Sequence, residues 1–392
     1  MIERAIDGSA TAPAQRGAAV TALCDALEAI DADGWYPVIE VVRPWSRHNP
    51  HMTGEFARPR TIRWYLVREL GALLGLGATI TVRASRPATP IDDPALLRAL
   101  DEVAWEMRAK KLFLFAPERM ALSMARLEHY CGTPAEAFQR YVLFTNYAMH
   151  VEEFRARFPE AEGPAGPVQM PAWHARTGDH DGVSIVDIGV GPSNAKTVTD
   201  HLAVLRPDAM LMIGHCAGLR NHQDIGDYVL ATAYLRDDRI LDHALPTTIP
   251  VIPNHRLNSY LLNALDAHRA RYRIGTVLTT ANRNWELEIE SMERTFEQSR
   301  AVAVDMESAT IAANGFRYRI PSATLLCISD KPLHGAPKLA EQAERFYDAS
   351  RRAHLEITLE CIDRVRHEHP AGIPNADIRS PDEPLFGAPA AE

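Results

Sequence analysis

Asp187-Ile-Gly189-Val-Gly191-Pro-Ser193-Asn194 is the stretch on which the reading of the fold turns. The apolar run Ser184–Ile188 leads into it. Ala195, Val198, Leu202 and Leu205 follow it on one face of a helix. A short apolar run, a glycine turn and an amphipathic helix make a strand–turn–helix unit. Free N–H groups in such a turn and at the helix start suit an anion. A dinucleotide fingerprint requires a third glycine where Asn194 stands, and an acid after the next strand, whereas Asp208 precedes it. That reading is set aside. Ser193 or Asn194 acting simply as an N-cap stays open.

Five further apolar runs have the same character: Ala209–Ile213, Tyr228–Ala233, Gly275–Thr279, Ala301–Val304 and Thr324–Ile328. Runs of this kind are strands buried on both faces. Leu257, Tyr260, Leu261, Ala264 and Leu265 share a helix face between them, and Lys338–Val365 reads as a long last helix. The pattern predicts an α/β domain over residues 178–368 with a largely parallel sheet and helices on both sides. The Pro- and Gly-rich segment Glu160–Pro171 reads as a linker. An α+β domain is expected over residues 1–162, and a Pro/Ala-rich tail over 369–392. Within the first domain, strands are expected at Trp35–Val42 and Ala78–Val82, and helices at Thr61–Leu74 and Pro94–Lys110. A helical region, Ala121–Phe158, is expected to break near Gly132-Thr133-Pro134. The first twenty residues read as loose or weakly helical.

Composition narrows the function. The chain has 392 residues and a formal net charge of −9. That charge opposes sequence-independent binding along a nucleic-acid backbone. The five cysteines are scattered and form no CxxC pair, which fits reduced, buried thiols and a cytoplasmic protein. Met1-Ile-Glu-Arg-Ala has no apolar signal core. The apolar stretch Leu70–Val82 holds three glycines and is too short to span a bilayer, so no membrane role is indicated. There is no HExxH and no Cys/His set with ligand spacing, so no metal is expected. His367-Glu-His369 and Lys110-Lys111 read as solvated helix ends.

Ligands in α/β sheets bind beyond the carboxyl ends of strands. Besides the Gly189–Asn194 turn, that rule selects Ile213-Gly214-His215-Cys216-Ala-Gly218-Leu-Arg220, read as a small-residue loop. It also selects Val304-Asp305-Met306-Glu307-Ser308 and Ile328-Ser329-Asp330-Lys331. Asp305 and Glu307 straddle a helix start and either is a candidate cap. Two carboxylates on consecutive strand ends, beside two glycine turns, are expected to form an active site in which they act as acids or bind sugar hydroxyls.

These last motifs resemble those of the AMP nucleosidases, members of the nucleoside phosphorylase/nucleosidase superfamily. The resemblance rests on Val304-Asp-Met-Glu-Ser-Ala309, Asp330-Lys-Pro-Leu-His-Gly335, Ile188–Lys196, Met212–Arg220 and Arg283-Asn-Trp-Glu286. His129–Pro134, Tyr141–Tyr147 and Asp382–Phe386 extend it. It implies a three-layer α/β/α catalytic domain that cleaves the N-glycosidic bond of AMP, behind a smaller domain of regulatory role. By resemblance Asp330 is the general acid, with a raised pKa, and Glu307 stabilises the cationic sugar. Met306 packs under the ribose, and Trp285 stacks on the purine or serves the core. The Gly189, Gly191, Ser193, Asn194 turn and the Gly214–Gly218 loop with His215 form a phosphate or nucleophile site. Arg220, Lys196 and Arg283 are candidates for the 5′-phosphate. The resemblance implies no required cofactor, activation by MgATP, inhibition by phosphate, and a homo-oligomer, often a hexamer. Methylthioadenosine hydrolases of the superfamily carry a glutamate in the first glycine loop; here that loop has no carboxylate, so the water-activating group is unassigned. Purine nucleoside phosphorolysis, or nucleotide sensing without turnover, are the alternatives.

Overall fold

A computed structural model describes residues 3–42, 51–96, 107–108, 112–336 and 340–373. The described chain divides into two compact units, one within Met1–Arg126 together with Val204–Arg206, the other formed by Leu127–Ala203 and the residues from Pro207 onward.

The first unit begins with a strand, β1 (Glu3–Asp7), and then a helix, α1 (Arg16–Ala32), where the first twenty residues were expected to be loose or weakly helical. Next come β2 (Trp35–Val42), β3 (His51–Glu55), α2 (Arg63–Gly75) and β4 (Thr79–Pro87). The sheet order is β1-β4-β2-β3, all antiparallel. α1 buries Val20, Leu23, Cys24, Leu27 and Ile30, a three-and-four spacing that lays one stripe on the sheet. Arg63 of α2 reaches Asp25 of α1 at 2.7 Å and also bonds Glu28. The expected helix Pro94–Lys110 falls mostly outside the described residues, as do Lys110-Lys111. Its described part contradicts a continuous helix, because Met107–Arg108 (β5) pairs with Phe113–Leu114 (β6). A helix, α3 (Pro117–Cys131), carries the chain into the second unit.

The second unit contains β7 (Tyr141–Thr145), α4 (Ala148–Arg157), β8 (Ala172–Ala175), β9 (Val183–Asp187), α5 (Pro192–Leu202), β10 (Ala209–Gly218) and β11 (Tyr228–Arg236). It continues with α6 (His255–Ala267), β12 (Tyr272–Thr279), α7 (Ile289–Ser299), β13 (Ala303–Asp305), α8 (Ser308–Tyr318), β14 (Ser322–Asp330) and α9 (Ala340–Glu368). The eight-stranded order is β13-β12-β11-β14-β10-β7-β9-β8, and β13 pairs again with β10. α4, α6 and α9 cover one face and α5 and α8 the other, giving three layers. Alternation in the strands shows which residues meet which layer. Tyr141 and Leu143, Val183 and Ile185, Ala209, Leu211 and Ile213, and Ala323, Leu325 and Cys327 join one core with Phe154, Leu261 and Ile362. Each fully buried Leu, Ile or Phe there contributes about 1.5–3 kcal/mol.

Three expectations need correction. Tyr141–Thr145 is a fully buried strand inside the region read as helical. It pairs in parallel with β9 and β10, so the boundary lies near residue 127 rather than in 160–171. The expected linker is part of the second unit: Met170 is fully buried, its N–H donates to the Tyr130 carbonyl, and Glu162 bridges to His174. The sheet is largely parallel, as expected: β9, β7, β10 and β14 pair in parallel, as do β11, β12 and β13, while β11 runs antiparallel to β14, β13 to β10 and β8 to β9. Finally, Gly214–Gly218 is no loop but the continuation of β10, held between β14 and β13. Of the expected tail, Ile373 is buried in the core, and residues 374–392 lie outside the described residues. All five cysteines are free and buried.

Candidate active site

The two carboxylates read from the sequence are brought together by β10. Its residue Ala217 is in register with Asp330 of β14 on one side and with Val304 of β13 on the other. β13 reaches β10 by folding back antiparallel to it, so the two carboxylate-bearing strand ends flank the same residue of β10.

Asp305 and Glu307 divide the two roles left open between them. Glu307 occupies the N-cap position without a capping bond of its own, and Asp305, two residues earlier, does the capping: its Oδ2 accepts from Ser308 N at 2.9 Å and from the Ser308 hydroxyl, and its Oδ1 from Thr279 Oγ1 at 2.5 Å. Replacing Asp305 by alanine removes the acceptor that caps this helix and strands those donors. The variant is expected to lose roughly 1–3 kcal/mol of stability, read from denaturant unfolding.

Glu307 is thereby free for other work. It is 1% exposed. Oε1 accepts from Gly191 N at 2.6 Å and Oε2 from Asn146 Nδ2 at 3.0 Å. Gly191 has φ +116°, in the region that suits glycine, and this conformation turns its N–H onto the carboxylate. Burial first, and the nearby Asp305 charge second, push the Glu307 carboxyl up to about 8, against the Gly191 and Asn146 hydrogen bonds. Burial also raises Asp305, against a richer set of donors. Both carboxyls are thus pushed toward protonation by burial, Asp305 against the more hydrogen-bond donors of the two.

Asp330 is 6% exposed and accepts from the Ser329 hydroxyl, which lies 3.4 Å from the Cys216 carbonyl. When Asp330 carries a proton it can donate to Ser329 Oγ, and the serine then donates to that carbonyl. The pair is built to tolerate either protonation state.

The remaining residues distribute as follows. Gly189 (φ +62°) makes the turn, and its N–H donates to Asp187 Oδ1 at 3.0 Å. Asn194 Nδ2 donates to the Ile188 carbonyl at 2.9 Å, so it braces the turn. The N-cap position belongs to Gly191, with Ser193 exposed in the first turn of α5. Met306 is half-buried between β13 and α8. Trp285 is buried edge-on to Phe296 at 5.5 Å, among Ala217, Leu219, Leu278 and Val304, which is the packing alternative. Of the phosphate candidates, Lys196 is paired with Asp200 at 2.5 Å and Arg220 donates to the Phe296 carbonyl at 3.2 Å, whereas Arg283 is exposed.

His215 departs from expectation. As part of a strand it points to the face covered by α4 and α9, opposite α8. There its ring lies 5.5 Å from that of His150 and 4.3 Å from that of Tyr147. His150 Nε2 is 3.2 Å from His354 Nδ1, His150 Nδ1 is 2.8 Å from Thr145 Oγ1, and His354 Nε2 is 2.8 Å from the Leu325 carbonyl. Burial pushes both rings down, to about 4 for His354. Leu325 fixes the His354 tautomer, and His150 then bridges the two helices to the end of β7. Sequence spacing could not show this cluster, because its members come from β10, α4 and α9.

Asn146 was also missed. The signal for it was a polar residue directly after an apolar run, but that run had been read as helix.

The family model of the phosphorylase superfamily matches residues 140–363, more than half of the chain. The chain belongs to the phosphorylase superfamily. Its matched span starts with β7 and ends within α9, so the family unit coincides with the sheet just described. Within that family the chain is 47% identical over 312 residues to the AMP nucleosidase of Escherichia coli (strain K12), covering 69% of this chain and 64% of the relative. It thus spans somewhat less than two thirds of that protein's length. The crystal structure of the AMP nucleosidase from Bacteroides thetaiotaomicron VPI-5482 superposes with a TM-score of 0.54 at 27% identity, over 64% of this chain and 99% of that one. A purine nucleoside phosphorylase from Toxoplasma gondii shares the fold, with a TM-score of 0.52 at 15% identity over 60% of this chain and 94% of that one. Among the described residues, no helix is long and apolar enough to cross a membrane.

Proposed function

We propose that this protein hydrolyses the N-glycosidic bond of AMP to adenine and ribose 5-phosphate. The observation that carries the reading is the buried Glu307 carboxyl, held by Gly191 N–H and Asn146, with Asp330 across β10 from it. Breaking the bond from C1′ to N9 leaves positive charge on the ribose and negative charge on the base. In this reading Asp330 supplies a proton to N7 of the departing adenine. Glu307 accepts from ribose hydroxyls and is the anion closest to the cationic ring. Met306 packs beneath the sugar. Ser193 and Arg283 are the exposed groups offered to the 5′-phosphate. The identity to AMP nucleosidases supports the choice of nucleotide over nucleoside. The same resemblance supports a cytoplasmic homo-oligomer activated by MgATP and inhibited by phosphate.

The test is an incubation with AMP in phosphate-free buffer. Equimolar adenine and ribose 5-phosphate are expected, and no adenine at all would end the proposal. Added phosphate must leave the sugar product unchanged. Phosphorolysis would instead give ribose 1,5-bisphosphate, and the enzyme would then be a phosphorylase on the same fold.

A further inference from the structure

Asp330 stands where a strand pair ends. Ala217 and Asp330 form the last rung between β10 and β14, and the register skips Ser329 just before it. A terminal rung frays unless the chain beyond it is tied down. The backbone past Asp330 does not continue the ladder. Pro332 has no N–H. Lys331 N–H donates to the Ala336 carbonyl at 2.7 Å, Ala336 N–H returns to the Lys331 carbonyl at 3.1 Å, and His334 N–H donates to that carbonyl at 3.0 Å. These donors are spent on their own turn. Side chains cross to β10's side instead. Lys331 Nζ donates to the Asn221 carbonyl at 3.0 Å and also to the Gln223 carbonyl, both in the loop that follows β10. His334 Nε2 lies 3.3 Å from the Leu219 carbonyl in the same loop, and a carbonyl only accepts, so this nitrogen carries the hydrogen. The loop is closed on itself: Gln223 N–H donates to the Arg220 carbonyl at 3.2 Å, and Arg220 N–H to Gln223 Oε1 at 2.7 Å. Lys331 is only 9% exposed. Withdrawing an ammonium from water is costly unless its hydrogen bonds are made, so these carbonyls hold it firmly.

We infer that Lys331 is a positioning residue for the general acid: its ammonium, seated on the Asn221 and Gln223 carbonyls, fixes the end of β14 and with it the carboxyl of Asp330. This rests on the acid role proposed above and adds the device that keeps the acid in place. Proton transfer to N7 requires a heavy-atom approach of about 2.6–3.2 Å. A misplacement of about 1 Å breaks it and costs roughly 10²-fold. Glu307 is held separately, by Gly191 and Asn146, so a slack end of β14 leaves its action on the sugar cation in place. Loss of the clamp therefore falls on the step that needs a proton.

The test compares two leaving groups in Lys331→Met, which keeps most of the stem and removes the ammonium. One substrate is AMP. The other is ribose 5-phosphate carrying p-nitrophenolate at C1′, which departs without a proton. For AMP, kcat is expected to fall roughly 10²-fold. For the p-nitrophenyl substrate it is expected to stay within a few-fold of the parent. Lys331→Arg keeps a cationic donor and is expected to recover much of the loss on AMP. Equal losses on both substrates overturn the inference, because the lysine would then only hold the site together. Unchanged turnover of AMP overturns it as well. The ratio of the two rates within one preparation does not depend on how much protein folds. If Lys331→Met is poorly produced, His334→Leu removes the neighbouring anchor and gives the same readout in milder form. Asp330→Asn separates the two levels: a crippled Asp330→Asn beside a normal Lys331→Met sinks this inference alone, whereas a normal Asp330→Asn sinks the acid role on which it rests.

Discussion

Asp330→Asn lowers kcat for adenine release from AMP by roughly 10²–10⁴-fold, the contribution of a positioned general acid. Asparagine keeps the size of the side chain and an oxygen that accepts from the Ser329 hydroxyl, so the end of β14 is expected to hold its place. What is lost is the transferable proton. The loss therefore falls on kcat, with the apparent affinity for AMP changed only a few-fold. Leaving-group chemistry separates this from a packing defect. A ribose 5-phosphate carrying p-nitrophenolate at C1′ needs no protonation to depart, so the variant should cleave it nearly as well as the parent does. Equal losses on both substrates would mean that the substitution damaged the site rather than the acid. Near-normal turnover of AMP would remove Asp330 from the role.

What the sequence shows and what it hides follow from the range of the interactions involved. Ser184–Ile188, Tyr228–Ala233, Gly275–Thr279 and Thr324–Ile328 are legible as strands because burial on both faces leaves a continuous apolar run. Tyr141-Val-Leu-Phe-Thr145 is just such a run, but it lies between two helices and is too short for periodicity to decide. With β7 went the true start of the family domain, and with its end went Asn146. The second half of β10 was hidden by composition: Gly214-His-Cys-Ala-Gly218 has the small residues of a turn, yet pairing first with β14 and then, from Ala217, with β13 keeps it extended. The reversal of β13 was hidden altogether. Nothing local in Ala301–Val304 states that β13 runs against β10, and the placing of both carboxylate-bearing strand ends beside Ala217 depends on that reversal. The carboxylates themselves were legible because each follows an uncharged strand, which is a local signal. Their hydrogen-bond partners were not, because Gly191, Asn146 and Glu307 are far apart in the chain.

A rise of kcat/KM with pH through about 8 is the second large effect, and it comes from Glu307. In the free enzyme the buried carboxyl holds its proton below that pH. Only the ionised form stabilises the sugar cation. Because kcat/KM reports the free enzyme, it climbs about tenfold per pH unit below the transition, and it turns down where Asp330 loses the proton it must donate. Glu307→Gln keeps a hydrogen-bonding oxygen but cannot ionise. It should flatten this limb and reduce kcat far more than AMP binding, whereas a pure KM effect contradicts the assignment. Stability gives an independent check with the opposite sign. A carboxyl whose folded pKa stands above its usual value binds more proton folded than unfolded, so stability falls as pH rises from the ordinary glutamate range toward about 8. The difference between parent and Glu307→Gln in unfolding free energy should shift over that window in favour of the glutamine variant. A difference independent of pH would show that Glu307 is already ionised in the empty site, and the kinetic limb would then belong to another group.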